Sequence, residues 1–457
     1  MMTPKRIRLI LAAAAILLLI VAFWPSASSL KGLTGEESLP AQIRGAIHWL
    51  YSSVRPQPDH GLESQIDFAD VSPFGMNTFL EQEVLPEVRE EILRTLNNAG
   101  VRFVRQEFPW EDIEIHGKDD FVDRRNDPAG IDAWEKYDNI VELAEMYDLE
   151  IIARLDNPPF WSRALTDTIG THAPPDNLED YAEFVEAVAA RYQGRIRYYQ
   201  LWNEPNIYPE WGEQAVDPEA FTELLCTGYE AIKSIDHDAV ILAGAMSPTV
   251  ALNGRDLNDL VFLQRMYDAG AGDCFDILSS QGYGLWSGPT DQRLRPTVVN
   301  YAHVILLRDL MVANGDADKS IWISEAGWNT VPESMSDPYG RVTLEEQARY
   351  AVQAYERAQS EWPWSGVVNY WFLKRPSDLE KDQAWYYFRL MEPNFTPMPA
   401  WESLSEYMTE GEAPAEKSSL SFTQQRLRPY LALSAGALLF YLLLGFLSPK
   451  DEETNLE

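Results

Sequence analysis

Two glutamates stand out by the company they keep. Glu204 lies in Trp202-Asn203-Glu204-Pro205, directly after an apolar, aromatic run and shortly before Tyr208 and Trp211. Glu325 lies in Ile323-Ser-Glu-Ala-Gly-Trp328, again near the end of an apolar run. They are far apart in the chain, so only a tertiary fold can pair them. Paired carboxylates are the usual machinery for cleaving a glycosidic bond. One must be neutral, to protonate the leaving oxygen; the other must be ionised, to attack or stabilise the sugar cation. Different environments and the repulsion between the two charges push their pKa values apart. The rings of Trp202, Tyr208 and Trp211 would offer flat faces to the C–H-rich faces of a sugar and keep water from the carboxylate.

The elements that would position them are short apolar runs rich in β-branched and aromatic residues. They fall at 73–79, 101–108, 150–157, 196–203, 239–246, 275–283, 320–328 and 366–373. Each is too short for a helix and reads as a strand. Amphipathic stretches lie between them. Residues 86–100 end in Gly100, 177–194 place Tyr181, Phe184, Val185 and Val188 on one face, and 343–358 open with the capping-box pair Thr343 and Glu346. Eight strands alternating with helices predict an α/β fold, a parallel (β/α)8 TIM barrel. Chemistry in such a barrel sits at the C-terminal strand ends, where Glu204 (strand four) and Glu325 (strand seven) are expected.

Trp202-Asn-Glu-Pro and Ile323-Ser-Glu-Ala-Gly-Trp resemble the acid/base and nucleophile signatures of clan A glycoside hydrolases, the retaining (β/α)8 enzymes. The resemblance covers roughly residues 70–410. It implies that Glu204 is the general acid/base, that Glu325 is the nucleophile, and that Asn203 bonds the sugar 2-hydroxyl. Within Val104-Arg-Gln-Glu-Phe-Pro-Trp110 it implies that Arg105 holds the nucleophile ionised. Tyr283, in Gln281-Gly-Tyr-Gly, resembles the tyrosine that bonds the nucleophile, and Trp371, in Asn369-Tyr-Trp-Phe, the platform under the sugar. Trp211, Trp328 and Asp156 are further candidates for substrate contact. The pattern departs from several clan families in carrying Asp156-Asn157 at the end of strand three and Gln281-Gly282 before the tyrosine, where histidines are often found. The implied activity is a retaining hydrolase of β-linked oligo- or polysaccharides. A transglycosylase on the same site and a non-catalytic carbohydrate-binding barrel are the alternatives.

The remaining features bound this reading. The 457 residues carry a formal charge of −34 and no clustered Lys/Arg stripe, which argues against a nucleic-acid partner. No His/Asp/Glu cluster has metal-ligand spacing and no Gly-rich phosphate loop occurs, so neither metal nor cofactor is expected. Cys226 and Cys274 are the only cysteines; their pairing stays open, with two separate thiols the favoured reading. Leu9–Trp24 is uncharged and follows Lys5, Arg6 and Arg8; Tyr430–Leu447 is also uncharged. They predict an N-terminal signal anchor, or a cleaved signal peptide, over 1–29 and a transmembrane helix over 428–448. Between these lie a lead-in segment 30–70, the catalytic domain 71–410 and a linker 411–427; an acidic tail 449–457 follows. The positive N-terminus would stay in the cytoplasm, leaving the protein at the cell membrane with the barrel outside the cytoplasm.

Overall fold

The computed structural model describes residues 4–22, 34, 39–54, 57–163, 172–291, 293–410 and 430–442. The chain divides into two compact units, residues 58–417 and a unit made of the two chain ends, 1–57 and 418–457.

The larger unit is a parallel barrel. Its strands are β1 Phe74–Thr78, β2 Phe103–Glu107, β3 Glu150–Leu155, β4 Tyr198–Asn203, β5 Val240–Ala245, β6 Leu278–Tyr283, β7 Ile321–Gly327 and β8 Ser365–Tyr370. They pair in the order β5-β4-β3-β2-β1-β8-β7-β6. Parallel bridges Leu242↔Ile277 and Met246↔Ser280 join β5 to β6 and close the ring. All eight expected strands form, each within a few residues of the run that predicted it. The helix Leu344–Glu361 carries the expected capping box: Glu346 N–H donates to Thr343 Oγ1 (3.1 Å) and Thr343 N–H to Glu346 Oε2 (2.8 Å). Helix Pro86–Asn98 starts on proline and is followed by Gly100 at φ +87°, a left-handed position that suits glycine.

The two-residue period of the strands sorts the barrel interior into layers. Phe103, Tyr198, Trp322 and Val367 belong to an apolar plug, with Trp322 centred 4.9 Å from Tyr198 and 5.3 Å from Phe103. Two residues further along the same strands come Arg105, Gln200, Ser324 and Asn369, all buried and polar. Gly366 lets β8 approach Trp322 closely, since a Cβ there would lie 2.1 Å from the indole nitrogen. An apolar floor under a hydrogen-bonded polar layer leaves the C-terminal mouth as the place for chemistry.

One expectation is corrected and another finds no support. Cys226, on the helix Pro218–Ile235, and Cys274, just before β6, form a disulfide rather than two thiols. The spans expected at the chain ends are not found either: among the described residues no helix is long and apolar enough to cross a membrane. The helix Pro4–Ala22 includes Lys5, Arg6 and Arg8, so its uncharged part begins only at Leu9. Residues 430–442 are helical, while the rest of 428–448, the linker 411–427 and the tail 449–457 lie outside the described residues. The lead-in segment contains a helix, Leu39–Val54, which the sequence pattern did not predict.

Candidate active site

Glu325 sits on β7 and is 4 % exposed. Arg105 Nη1, rising from β2, donates to its Oε1 at 2.7 Å, and the Tyr283 hydroxyl, at the end of β6, donates to its Oε2 at 2.6 Å. The rest of the guanidinium is also committed: Nε to Gln200 (2.8 Å), Nη1 again to Asn77 (2.8 Å), and Nη2 to Asn203 Oδ1 (2.7 Å). One buried cation on β2 therefore fixes groups from β1, β4 and β7. Removing one partner of such a buried pair typically costs about 3–5 kcal/mol, because the other charge is left uncompensated.

Glu204 follows β4 with φ +44°, and Trp202 two residues before it has φ +73°. Both are bulky residues in the left-handed region, a costly backbone geometry that collects at functional sites. The turn is held by Glu204 N–H donating to Ala245 C=O (2.8 Å) and Ile207 N–H to Glu204 C=O (3.1 Å). Gln281 Nε2 donates to the carboxyl at 3.4 Å. Burial and then the neighbouring Glu325 charge push the Glu204 carboxyl up to about 7, against the opposing pull of Ser247, Gln281 and Arg105.

Glu204, Glu325, Tyr283 and Trp371 line one cleft of about 710 Å³, together with Tyr208, Glu210, Ser247, Tyr339, Trp385 and Phe388. Phe79 packs edge-on against Trp371 at 5.5 Å, and Phe388 lies 5.4 Å from Tyr283. The structure thus brings five of the expected residues together, counting Arg105 beneath Glu325. Asn203 adjoins them through Arg105, its Oδ1 occupied and its Nδ2 without an acceptor among the described residues.

Three candidates lie elsewhere. Trp211 is 2 % exposed and packs on Trp202 (5.5 Å) and Phe221 (6.0 Å) in the core, and Trp202 is itself buried, so of the three rings around Glu204 only Tyr208 reaches the cleft. Trp328 is fully buried, donating to Ser287 C=O (2.8 Å) beside Tyr301 and Tyr350. Asp156 is buried against Arg154 (2.8 Å) and does not line the cleft. Indoles close to the chemistry in sequence are drawn into the core because only there is their large apolar area removed from water. Sequence reasoning missed Glu210, Ser247, Tyr339, Trp385 and Phe388 as lining residues. All lie beyond strand ends, where no periodicity marks them; the dense aromatic run 385–388 was the one available signal.

No protein-family model matches the chain. Solved structures share its architecture. A family 39 glycoside hydrolase from Bacteroides cellulosilyticus WH2 is 19 % identical with a TM-score of 0.54; the match covers 75 % of this chain and 64 % of that one, just under two thirds of its length. A family 39 β-xylosidase from Caulobacter crescentus is 15 % identical, TM-score 0.53, over 79 % of this chain and 74 % of the other. Xylanase 10B from Thermotoga maritima is 15 % identical, TM-score 0.50, over 74 % and 94 %. At these identities the likeness is one of fold: the chain has the (β/α)8 barrel on which those glycoside hydrolases are built.

Proposed function

We propose that this protein hydrolyses O-glycosidic bonds of β-linked oligo- or polysaccharides by a retaining double displacement. The observation that carries the reading is the unequal treatment of two glutamates in one cleft. Both oxygens of Glu325 accept charge-assisted or phenolic hydrogen bonds, which suits a carboxylate that attacks carbon. The Glu204 carboxyl is pushed up to about 7 by burial and by Glu325, which suits a group that carries a proton at neutral pH. In the first step Glu325 attacks the anomeric carbon while Glu204 gives its proton to the departing glycosidic oxygen. In the second, Glu204 takes a proton from water, the water oxygen attacks the anomeric carbon, and Glu325 is released. Asn203, with its Nδ2 unoccupied, suits a hydrogen bond to the sugar 2-hydroxyl, and Trp371 suits a platform beneath the ring. Transfer to a sugar hydroxyl in place of water uses the same residues.

The location of the barrel outside the cytoplasm belongs to the same reading. Three cations precede the apolar stretch that begins at Leu9, the arrangement that leads export, and a disulfide is the form a thiol pair takes in an oxidising compartment. Attachment to a membrane is supported by the large apolar side chains that the terminal unit exposes, among them Ile10, Ile16, Leu17, Leu433 and Phe440.

A panel of aryl β-glycosides tests the activity, and proton NMR of the first-formed sugar, read before mutarotation, tests the stereochemistry. Turnover with retained configuration is expected. Inverted product would make Glu325 a general base instead, and absence of turnover across the panel would count against hydrolysis.

A further inference from the structure

The helix Leu39–Val54, in the unit made of the chain ends, has 16 residues. At 1.5 Å per residue it measures about 24 Å, short of the roughly 30 Å hydrocarbon thickness of a bilayer, and it carries Arg44. It is therefore not a helix that crosses a membrane. Its large apolar side chains do not enter a core either. Leu39, Ile43, Ile47 and Leu50 are 62, 49, 60 and 47 % exposed. Their spacing of four, four and three residues lines them up in one stripe along the helix, and the same period puts Arg44 and His48 outside it. Single exposed apolar residues need no explanation, but four in register on one helix form a surface that meets something apolar.

Charge decides what that is. About one residue in six of this chain is acidic, yet from Ser38 to Pro58 there is no Asp or Glu, while Arg44 and Arg55 are present. The same bias holds for the whole unit to which the helix belongs. Residues 1–57 and 418–457 carry nine Lys/Arg against six Asp/Glu, a formal charge of +3, which leaves −37 on residues 58–417. A bilayer with anionic headgroups offers an apolar interior beneath a negative surface, so it suits the stripe and the cations together. The same surface repels the barrel unit, so charge selects the terminal unit for the contact. A second copy of this helix would instead bring like charge to the stripe.

We infer that the helix Leu39–Val54 lies flat on an anionic lipid surface, with Leu39, Ile43, Ile47 and Leu50 among the acyl chains and Arg44 at the level of the headgroups. This deepens the membrane attachment proposed above and rests on it. Only 14 residues separate Trp24 from Leu39, a reach of at most about 50 Å when fully extended. A chain held at the lipid through its apolar N-terminal stretch thus keeps this helix beside the same surface, where binding the second element is an intramolecular step.

The test labels the full chain at single added cysteines, which are the only free thiols because Cys226 and Cys274 are bonded to each other. Ile43→Cys, Ile47→Cys and Leu50→Cys place a fluorophore on the stripe, and His48→Cys places it off the stripe. Each labelled chain, checked for a cooperative melting curve, is mixed with vesicles of phosphatidylcholine, alone or with phosphatidylglycerol, whose acyl chains carry nitroxide quenchers. In the anionic vesicles quenching should be at least about twofold stronger at the three stripe positions than at that of His48. It should be weaker in the neutral vesicles and fall with added salt. Stripe positions quenched no more than that of His48, or equal quenching in neutral and anionic vesicles, overturns the inference. So does self-quenching between labelled copies that vesicles do not relieve, which would mean that a second copy covers the stripe. Flotation of the unlabelled wild type with the same vesicles reads attachment by any part of the chain. A chain that floats while its stripe stays unquenched keeps the attachment and loses this inference; one that does not float loses both.

Discussion

At the scale of single residues, function rests on the different surroundings of Glu204 and Glu325. A general acid works only while it holds its proton. With the Glu204 carboxyl pushed up to about 7, kcat/KM should fall as pH rises through about 7. Glu204→Ala should lose that alkaline limb along with most of the rate. Azide should then restore turnover of activated aryl glycosides, since a small anion attacks the intermediate without needing a base. Glu325→Gln should lose about a thousandfold or more, about 4 kcal/mol of transition-state stabilisation. Near-normal activity in a folded Glu325→Gln chain, or an alkaline limb that persists in Glu204→Ala, would remove these roles. Glu204 and Glu325 were legible in sequence because each lies at or near the C-terminal end of a strand, where a barrel places its chemistry; Arg105, Tyr283 and Trp371 were legible only through the motifs whose resemblance to clan A glycoside hydrolases singled them out. Glu210 was not, because the turn that carries it is shaped by a tryptophan-to-carbonyl bond and not by any repeat. Trp211 and Trp328 misled for the converse reason: proximity in sequence to a glutamate says nothing about which side of the strand an indole will fill.

At the scale of elements, the strands were legible because parallel strands buried on both faces read as short apolar runs between helical patterns. Their barrel order follows from βα alternation and short right-handed connections. The disulfide was not legible. Cys226 belongs to the helix after β4 and Cys274 to the turn before β6, so their meeting depends on helix packing around the outside of the barrel, to which two isolated cysteines give no clue. The cross-link closes a separation of 48 residues, for which a chain-entropy account gives about 4 kcal/mol of stabilisation, within a usual range of about 2–4. Cys226→Ala/Cys274→Ala should therefore lower the denaturation midpoint by a corresponding amount in guanidinium titration. Alkylation of protein taken without reductant from its own cells should find both thiols blocked. Free thiols in that material would count against both the cross-link and residence in an oxidising compartment.

At the scale of the whole molecule, the charges that suit the cleft to its chemistry also set how stability responds to pH. Glu81, Asp156 and Glu204 are each pushed up to about 7, with burial the largest cause in all three. Glu210 is raised further, and Glu111 and Glu114 rise as well, again chiefly through burial. In the unfolded chain all six ionise near 4–4.5. Over the interval between, the native state binds more protons than the unfolded one, so stability falls as pH rises and is regained as pH falls. His172 acts oppositely: burial lowers it to about 4, so below about 6.5 the unfolded chain takes up a proton there that the native chain refuses. Asp112, Asp138 and Asp291, held low by their partners, remove stability only below about 4. Between pH 8 and 6.5 the raised carboxyls titrate differently in the two states, and so does His303, where burial is outweighed by the hydrogen bond and charge pairing with Asp259, which raise it. Both bind protons in the native state first, and only the unfolded His172, at the lower end of the interval, opposes them. The falling self-repulsion of a chain at −34 adds to them with the same sign. The melting temperature should climb by a few degrees as the buffer is taken from pH 8 to 6.5, since about 1 kcal/mol moves it about 2–4 °C in a domain of this order. Asp156→Asn, which cannot ionise, should flatten part of that slope while leaving the melting curve cooperative. A melting temperature that is level or falls over the same interval would show that these carboxyls meet no penalty in the folded barrel, and would take away the physical basis for a proton-carrying Glu204.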